Sequence, residues 1–290
     1  MRAASWFTWL SVTALVLGCK TADKAPTSFP ITERILLRYH PPAGATYAYV
    51  LDQSSRIAPD STTSDSGNQN VLHLAFHQTV DAATAESVAV TSTLDSARVS
   101  SPMLSPTATA DAVKRMQGVK VTAVVDNQQR VIRNDWSGVT RLPGVIGDQL
   151  QLVFRAAALS LPDDSVKAGD SWSNTVELPF GQVAGGAPLT AKTKVTIRDL
   201  SVQAGDTIAR LVVATGVPDR PMRFSFGGQS ITVLLMGTIT GEQTLSVTRG
   251  ALVEATLGGT MLVRVTGGIF GPQGMTMRVD QQGAMHLVPP

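Results

Sequence analysis

The chain has 290 residues, 43% of them hydrophobic and only 16% charged, with a formal net charge of +2. Near-neutrality without a run of Lys or Arg excludes the electrostatic footprint of a nucleic-acid binder, and a single cysteine excludes a disulfide framework. The apolar content is ample for a core, so Ser, Thr, Asn and Gln carry much of the surface solvation.

Residues 1–18 open with the positive pair Met1-Arg2 and continue as the uncharged run WFTWLSVTALVL, Trp6 to Leu17. A membrane-spanning helix needs about 20 apolar residues; this run is a dozen long, and polar residues follow it directly. A positive start, a short apolar core and a small residue before the cut predict a secretory signal peptide. No later stretch is long enough to span a bilayer.

The run ends in Val16-Leu17-Gly18-Cys19, which resembles the lipobox of bacterial lipoproteins: an aliphatic residue, a variable one, a small one, then Cys. Val16 stands where Leu is usual. The resemblance implies cleavage before Cys19 and a diacylglycerol on its sulfur, with palmitate-like chains holding the protein to a membrane. An exported chain with one unpaired thiol is exposed to oxidation unless the thiol is capped, and acylation caps it. Each buried CH₂ contributes about 0.8 kcal/mol, and two or more chains anchor stably where one does not. Residues 19–31, rich in small polar residues and proline, read as a lipidated tether. Lys20 occupies the place where Asp often retains a lipoprotein at the inner membrane. The resemblance therefore implies a cell-envelope lipoprotein on the outer membrane, facing the periplasm.

Roughly 260 residues follow, enough for one large domain or two intimate halves. Period-two alternation dominates them. TYAYVL (Thr46–Leu51) opens a strand. VLHLAFHQTV sets Leu72, Leu74, Phe76 and Val80 on one face and His73, His77 and Thr79 on the other; ESVAVTSTL repeats the pattern with Val88, Val90 and Leu94. Ala58–Asn70 reads as a polar loop, and Ser105–Gln117 as a short helical piece. GVKVTAVVD and RVIRND flank a hairpin connection at Asn127-Gln128-Gln129. Apolar residues at Ile146, Leu150, Val153, Phe154, Ala157 and Ala158 recur at helical spacing and predict one amphipathic helix from Val145 to Leu159, stopped by Pro162. After position 170 the strand pattern resumes and persists to the C-terminus. Val, Ile and Thr abound, as half-buried pleated surfaces favour.

The expected fold is mainly β: curved antiparallel sheets, open or partly closed like a barrel, with one central amphipathic helix. An internal echo pairs PPAGATYAYVL with VKAGDSWSNTVEL, FHQTVDAATAESVAVTSTL with VTIRDLSVQAGDTIARLVV, and KVTAVVDNQQRVIR with EQTLSVTRGALVE, each offset by about 120 residues. It suggests two related halves, an N-terminal one over 32–160 that ends in the helix and a C-terminal one over 161–290. The segment LPDDSVKAGDSWSN (Leu161–Asn174) resembles the LP…V..GD.W segment of an uncharacterised bacterial lipoprotein family and implies no activity. From the residues alone, Asp163 and Asp164 form a turn, Ala168-Gly169-Asp170 a tight turn, and Trp172 starts a strand and plugs the core.

The chain nominates no catalytic residue, no metal ligand set and no cofactor. His73 and His77 lie about 13 Å apart on a strand, too far for one ion; no HExxH, GxSxG or SxxK pattern occurs. Asp163 and Asp164 fit a solvated turn better than an acid–base pair, and FGGQS (Phe226–Ser230) lacks the lysine and spacing of a phosphate loop. The aromatic residues Phe76, Trp136, Phe154, Trp172, Phe224 and Phe226 are candidates for the core or, in an open sheet, for facing a ligand. Met103, Met116, Met222, Met236, Met261, Met275, Met277 and Met285 add adaptable apolar surface.

Three functional readings follow. The first is a non-catalytic, membrane-anchored module that binds a lipid or another hydrophobic ligand in a β-sheet trough, similar in architecture to periplasmic lipoprotein carriers. The second is a structural lipoprotein that scaffolds an envelope protein partner through loops such as Ala58–Asn70. The third, a hydrolase with a dispersed active site, would require His40 or His286 to meet a carboxylate and a hydroxyl in a cleft.

Overall fold

The computed structural model describes residues 28–60, 67–102, 104–140, 150, 159–178, 189–217, 221–226 and 229–289. The described strands are β1 (Ser28–Pro30), β2 (Thr46–Pro59), β3 (Asn68–Ala83), β4 (Ser87–Ser100), β5 (Lys120–Asp126), β6 (Val131–Asp135), β7 (Ser171–Leu178), β8 (Leu189–Gln203), β9 (Asp206–Val217), β10 (Met222–Phe226), β11 (Gln229–Ser246), β12 (Ala251–Gly267) and β13 (Met275–Leu287), with helices α1 (Pro106–Met116) and α2 (Ser137–Thr140).

All thirteen strands join one antiparallel sheet in the order β1-β8-β9-β11-β12-β13-β2-β3-β4-β5-β6, with β7 added to β8 and β10 to β11. Two meanders therefore run outward from a central seam, where the last strand, β13, pairs with β2. The echoed segments hold equivalent ranks: β2, β3–β4 and β5–β6 in one meander, β7, β8–β9 and β11–β12 in the other. Among the described residues no ladder joins β6 to β7, so the mainly β, antiparallel sheet is open.

The alternation sorts side chains by face, as period two requires. Leu72, Leu74, Phe76 and Val80 are buried, and so are Val88, Val90 and Leu94, while His73 and His77 point the other way. Tight turns follow from local chemistry. Gln203 pairs with Asp206 across Ala204-Gly205, both at positive φ (49° and 81°), the mirror-image turn whose twist suits a hairpin. Helix α1 starts at Ser105, whose side chain accepts from the Ala108 amide, with Pro106 at the first helical position; Met116 is fully buried. That is the short helical piece expected over Ser105–Gln117. The longer amphipathic helix expected over Val145–Leu159 lies outside the described residues, except for Leu150, helical and fully buried, and Leu159, also buried. Met103 and Phe154 also lie outside them.

One expectation needs correction. Ala58 and Pro59 belong to β2 and Asn68–Asn70 to β3, so the Ala58–Asn70 loop is shorter at both ends. Arg278 and Met277 of β13 pair with Ala58 and Pro59; a distant strand, not the local composition, extends β2.

The long central strands come closest at glycines. A β-carbon at Gly241 would overlap the Thr256 carbonyl oxygen, and one at Gly259 would sit 2.5 Å from that of Thr238. Only glycine lets β11 and β12 approach this closely. The main core is one cluster shared by both meanders, with Leu74 and Leu94 from one and Leu200 and Leu211 from the other. A smaller cluster of Ala191, Val217 and Leu235, with Met222 and Met261 packed on it, lies further along the strands. Between them runs a row of Ser55, Gln281, Gly259, Ile239, Thr215 and Thr193.

Candidate functional site

The two ends of the strand path meet around one cavity of about 1190 Å³. β6 stands at one end of the path and β7 on the second strand from the other; both line it. The floor comes from inward positions of the strands between them: Tyr49, Phe76, Val90, Val121, Val125, Leu252 and Met285, all buried. Tyr49 stacks on Phe76 with ring centroids 5.3 Å apart, a favoured offset arrangement. Trp136, after β6, and Trp172, on β7, line it half-buried. The exposed edge carries Arg130, Arg133, Asp163 and Asp164.

Residues 159–170 form a strap that ties three parts of the wall together. The Leu161 amide donates to the Gln128 carbonyl (2.7 Å), and the amides and carbonyls of Val166 and Ile35 bond reciprocally (2.8 Å each). Trp172 Nε1 and Asn174 Nδ2 both donate to the Ser160 carbonyl, at 2.8 and 2.7 Å. Arg38 donates to the Pro162 and Asp163 carbonyls, and Arg34 pairs with Asp170 at 2.9 Å. Gly169, at φ 91°, makes the tight turn expected there. Trp172 packs partly buried against the core.

Ionisable groups around the cavity are shifted from their ordinary values in opposite chemical senses. The Arg130 guanidinium hydrogen-bonds Asp163 (2.5 Å) and lowers its carboxyl from the ordinary value against an opposing desolvation, with smaller help from the Gln128 side-chain amide (2.6 Å) and the charge of Arg38. Asp163 is thus a pinned carboxylate, unsuited to the role of general acid. Burial pushes the phenols of Tyr39 and Tyr49 well above their ordinary value. For Tyr49, a backbone hydrogen bond at Leu252 and the charge of Arg249 oppose the shift only in part.

Of the aromatic candidates, the cavity brings Phe76, Trp136 and Trp172 together. Phe224 and Phe226 lie on β10, opposite Ile231 and Gln229, and their side chains lie outside the described residues. Sequence reasoning missed Tyr39, Leu161 and the inward face of β5; the alternation of Val121, Ala123 and Val125 was the available signal. The histidines sit elsewhere. His73 and His77 bond Asp52 and Asp95 through Nδ1, at 2.7 and 2.8 Å, on the outer face. His286 stands opposite Glu254, and both it and His40 are exposed. None of the four lines the cavity. Among the described residues, no three His, Cys, Asp or Glu side chains gather as a metal site.

No protein-family model matches the chain, and no curated protein matches it in sequence. Solved structures do match. One, described as "lipid-protein interactions in lipovitellin", aligns over 86% of this chain with a TM-score of 0.53 and 9% sequence identity. This chain spans a quarter of the length of that one, 25%. The likeness is one of fold: a large antiparallel β-sheet architecture shared without recognisable sequence.

Proposed function

We propose that this protein is a non-catalytic, membrane-anchored binding module that holds a lipid or other hydrophobic ligand in its β-sheet trough. The observation that carries the reading is the cavity of about 1190 Å³, floored by buried aliphatic and aromatic side chains where the two ends of the sheet approach. Small-molecule sites are concave and combine apolar lining with convergent polar groups; here the floor is apolar, and the walls add about as much polar surface, from residues such as Arg130, Asn134, Asp163 and Asn174. The similar lipovitellin structure concerns lipid–protein interactions of that protein, which supports the same chemistry here. Acylation of Cys19, as its lipobox-like setting suggests, would place the trough at an envelope membrane, on the outer membrane's periplasmic side.

A second reading has one feature in its favour. Every residue of edge strand β6 is exposed, Val131 by 50% and Ile132 by 62%. Such an edge suits an envelope protein partner that adds a strand.

The test is mass spectrometry of the full-length protein isolated from the envelope of its host. The expected result is a chain beginning at acylated Cys19, with a lipid that copurifies non-covalently. Ala123→Trp, which fills the cavity from a half-buried wall position, should lower binding of a fluorescent fatty acid at least tenfold while strand circular dichroism stays unchanged. Absence of both copurified lipid and dye binding rejects the trough; an unmodified, uncleaved Cys19 rejects the anchor.

A further inference from the structure

The connection from β12 to β13 presents an apolar residue to solvent in a way the fold does not require. Ile269 is 80% exposed, more than any other large hydrophobic residue among those described. It sits in a 3₁₀ turn, Gly268–Phe270, closed by the Gly267 amide on the Gly271 carbonyl (2.8 Å) and the Gly271 amide on the Gly268 carbonyl (3.2 Å). Phe270 beside it is half-exposed, and Met275, which opens β13, is 39% exposed. From Val265 to Met277 the sequence carries no charge. Scattered surface hydrophobics need no explanation; an uncharged, hydrogen-bonded tip with several together does.

Behind the tip, two described arginines share one face. The register aligns Arg223, Thr232 and Thr266 in one row, and Arg264 follows two residues back along β12 on the same face. Both arginines are exposed, and neither makes an ion pair with a described residue. Arg278, one row further, is engaged by Asp280 at 3.0 Å. Among the described residues, Asp60 also lies beside the tip, its amide donating to the Thr276 carbonyl. Arg264 lies about 10 Å behind Gly267 at the rise of a strand. That spacing sets guanidinium groups at the depth of phospholipid headgroups when the tip reaches the acyl boundary.

We propose that the β12–β13 tip docks on an anionic lipid bilayer, with Ile269 and Phe270 entering the acyl boundary and Arg223 and Arg264 binding headgroup phosphates. Charge complementarity selects the surface, since juxtamembrane arginines are drawn to anionic leaflets. The docking is independent of the lipid cargo and of Cys19. It gives the open end of the sheet, at the opposite end of β12 from Leu252 and the cavity, a fixed orientation on the membrane.

The test uses the full chain with Cys19→Ser and Ile269→Cys, labelled with an environment-sensitive nitrobenzoxadiazole dye. Vesicles of phosphatidylcholine alone are compared with vesicles that also contain phosphatidylglycerol. A reference label replaces exposed Thr256 on the outer face of β12. On anionic vesicles the label at 269 should shift to the blue and brighten several-fold, reversibly with salt, while the label at 256 stays unchanged. Arg223→Gln with Arg264→Gln should weaken the response about 20- to 30-fold, at the usual worth of an arginine near an anionic surface. A label at 269 that stays in water while the chain is vesicle-bound overturns the proposal, as would equal insertion into neutral vesicles. Failure here with lipid still copurifying leaves the trough standing; success without cargo leaves only the docking.

Discussion

Two tyrosines show how burial fixes a chemical state at the cavity. Tyr39 and Tyr49 are 7% and 5% exposed, and burial holds both phenols neutral far past the ordinary value of 10.0. A phenol whose value is raised on folding contributes stability that is fully present below pH 10 and is lost as pH rises from there through the raised folded value. The protein should therefore unfold in alkali, with tyrosinate absorbance and the loss of strand circular dichroism rising together. Ionisation of these phenols near pH 10 with the sheet intact would contradict the burial assigned to them. Tyr49 was legible as an alternating strand residue. Tyr39 was not, because its place in the core comes from the segment before β2, whose amide at Tyr39 bonds the Asn127 carbonyl of the β5–β6 hairpin.

At the scale of elements, glycine in mid-strand is what lets the long β11 and β12 pack backbone against backbone. Gly241→Val should destabilise the protein by about 1–3 kcal/mol or more, because overpacking forces backbone shifts and here the obstruction is the Thr256 carbonyl, which is backbone. Urea unfolding reads the loss, and an unchanged midpoint would show that the β11–β12 contact is softer than its geometry. The strap of residues 159–170 is the other decisive element. Its turn residues and Trp172 could be read from LPDDSVKAGDSW, since Gly at positive φ and Asp in turns follow from local chemistry. Its partners could not. Gln128, Arg130, Ile35 and Arg38 reach it through contacts far apart in the chain, and a turn motif carries no mark of what it bridges.

For the whole molecule, the main core binds both meanders into one cluster and β13 stitches onto β2. Unfolding should then be a single cooperative transition. Variants that retain only Trp136, in the first meander, or only Trp172, in the second, should report the same thermal midpoint by emission. Two separated midpoints would show that the halves fold apart. The sequence by itself determined the strand content, the face each alternating residue takes, the tight turns and the short helix α1, because period, capping and turn chemistry act over a few residues. It also carried the lipobox-like segment Val16–Cys19, a purely local signal. Only the tertiary structure decided that β13 closes onto β2, that β2 runs on through Pro59, and that β6 and β7 flank one cavity. Ladder hydrogen bonds are made by the backbone, the same for every residue pair, so strand partners leave little trace in the side chains that a sequence displays.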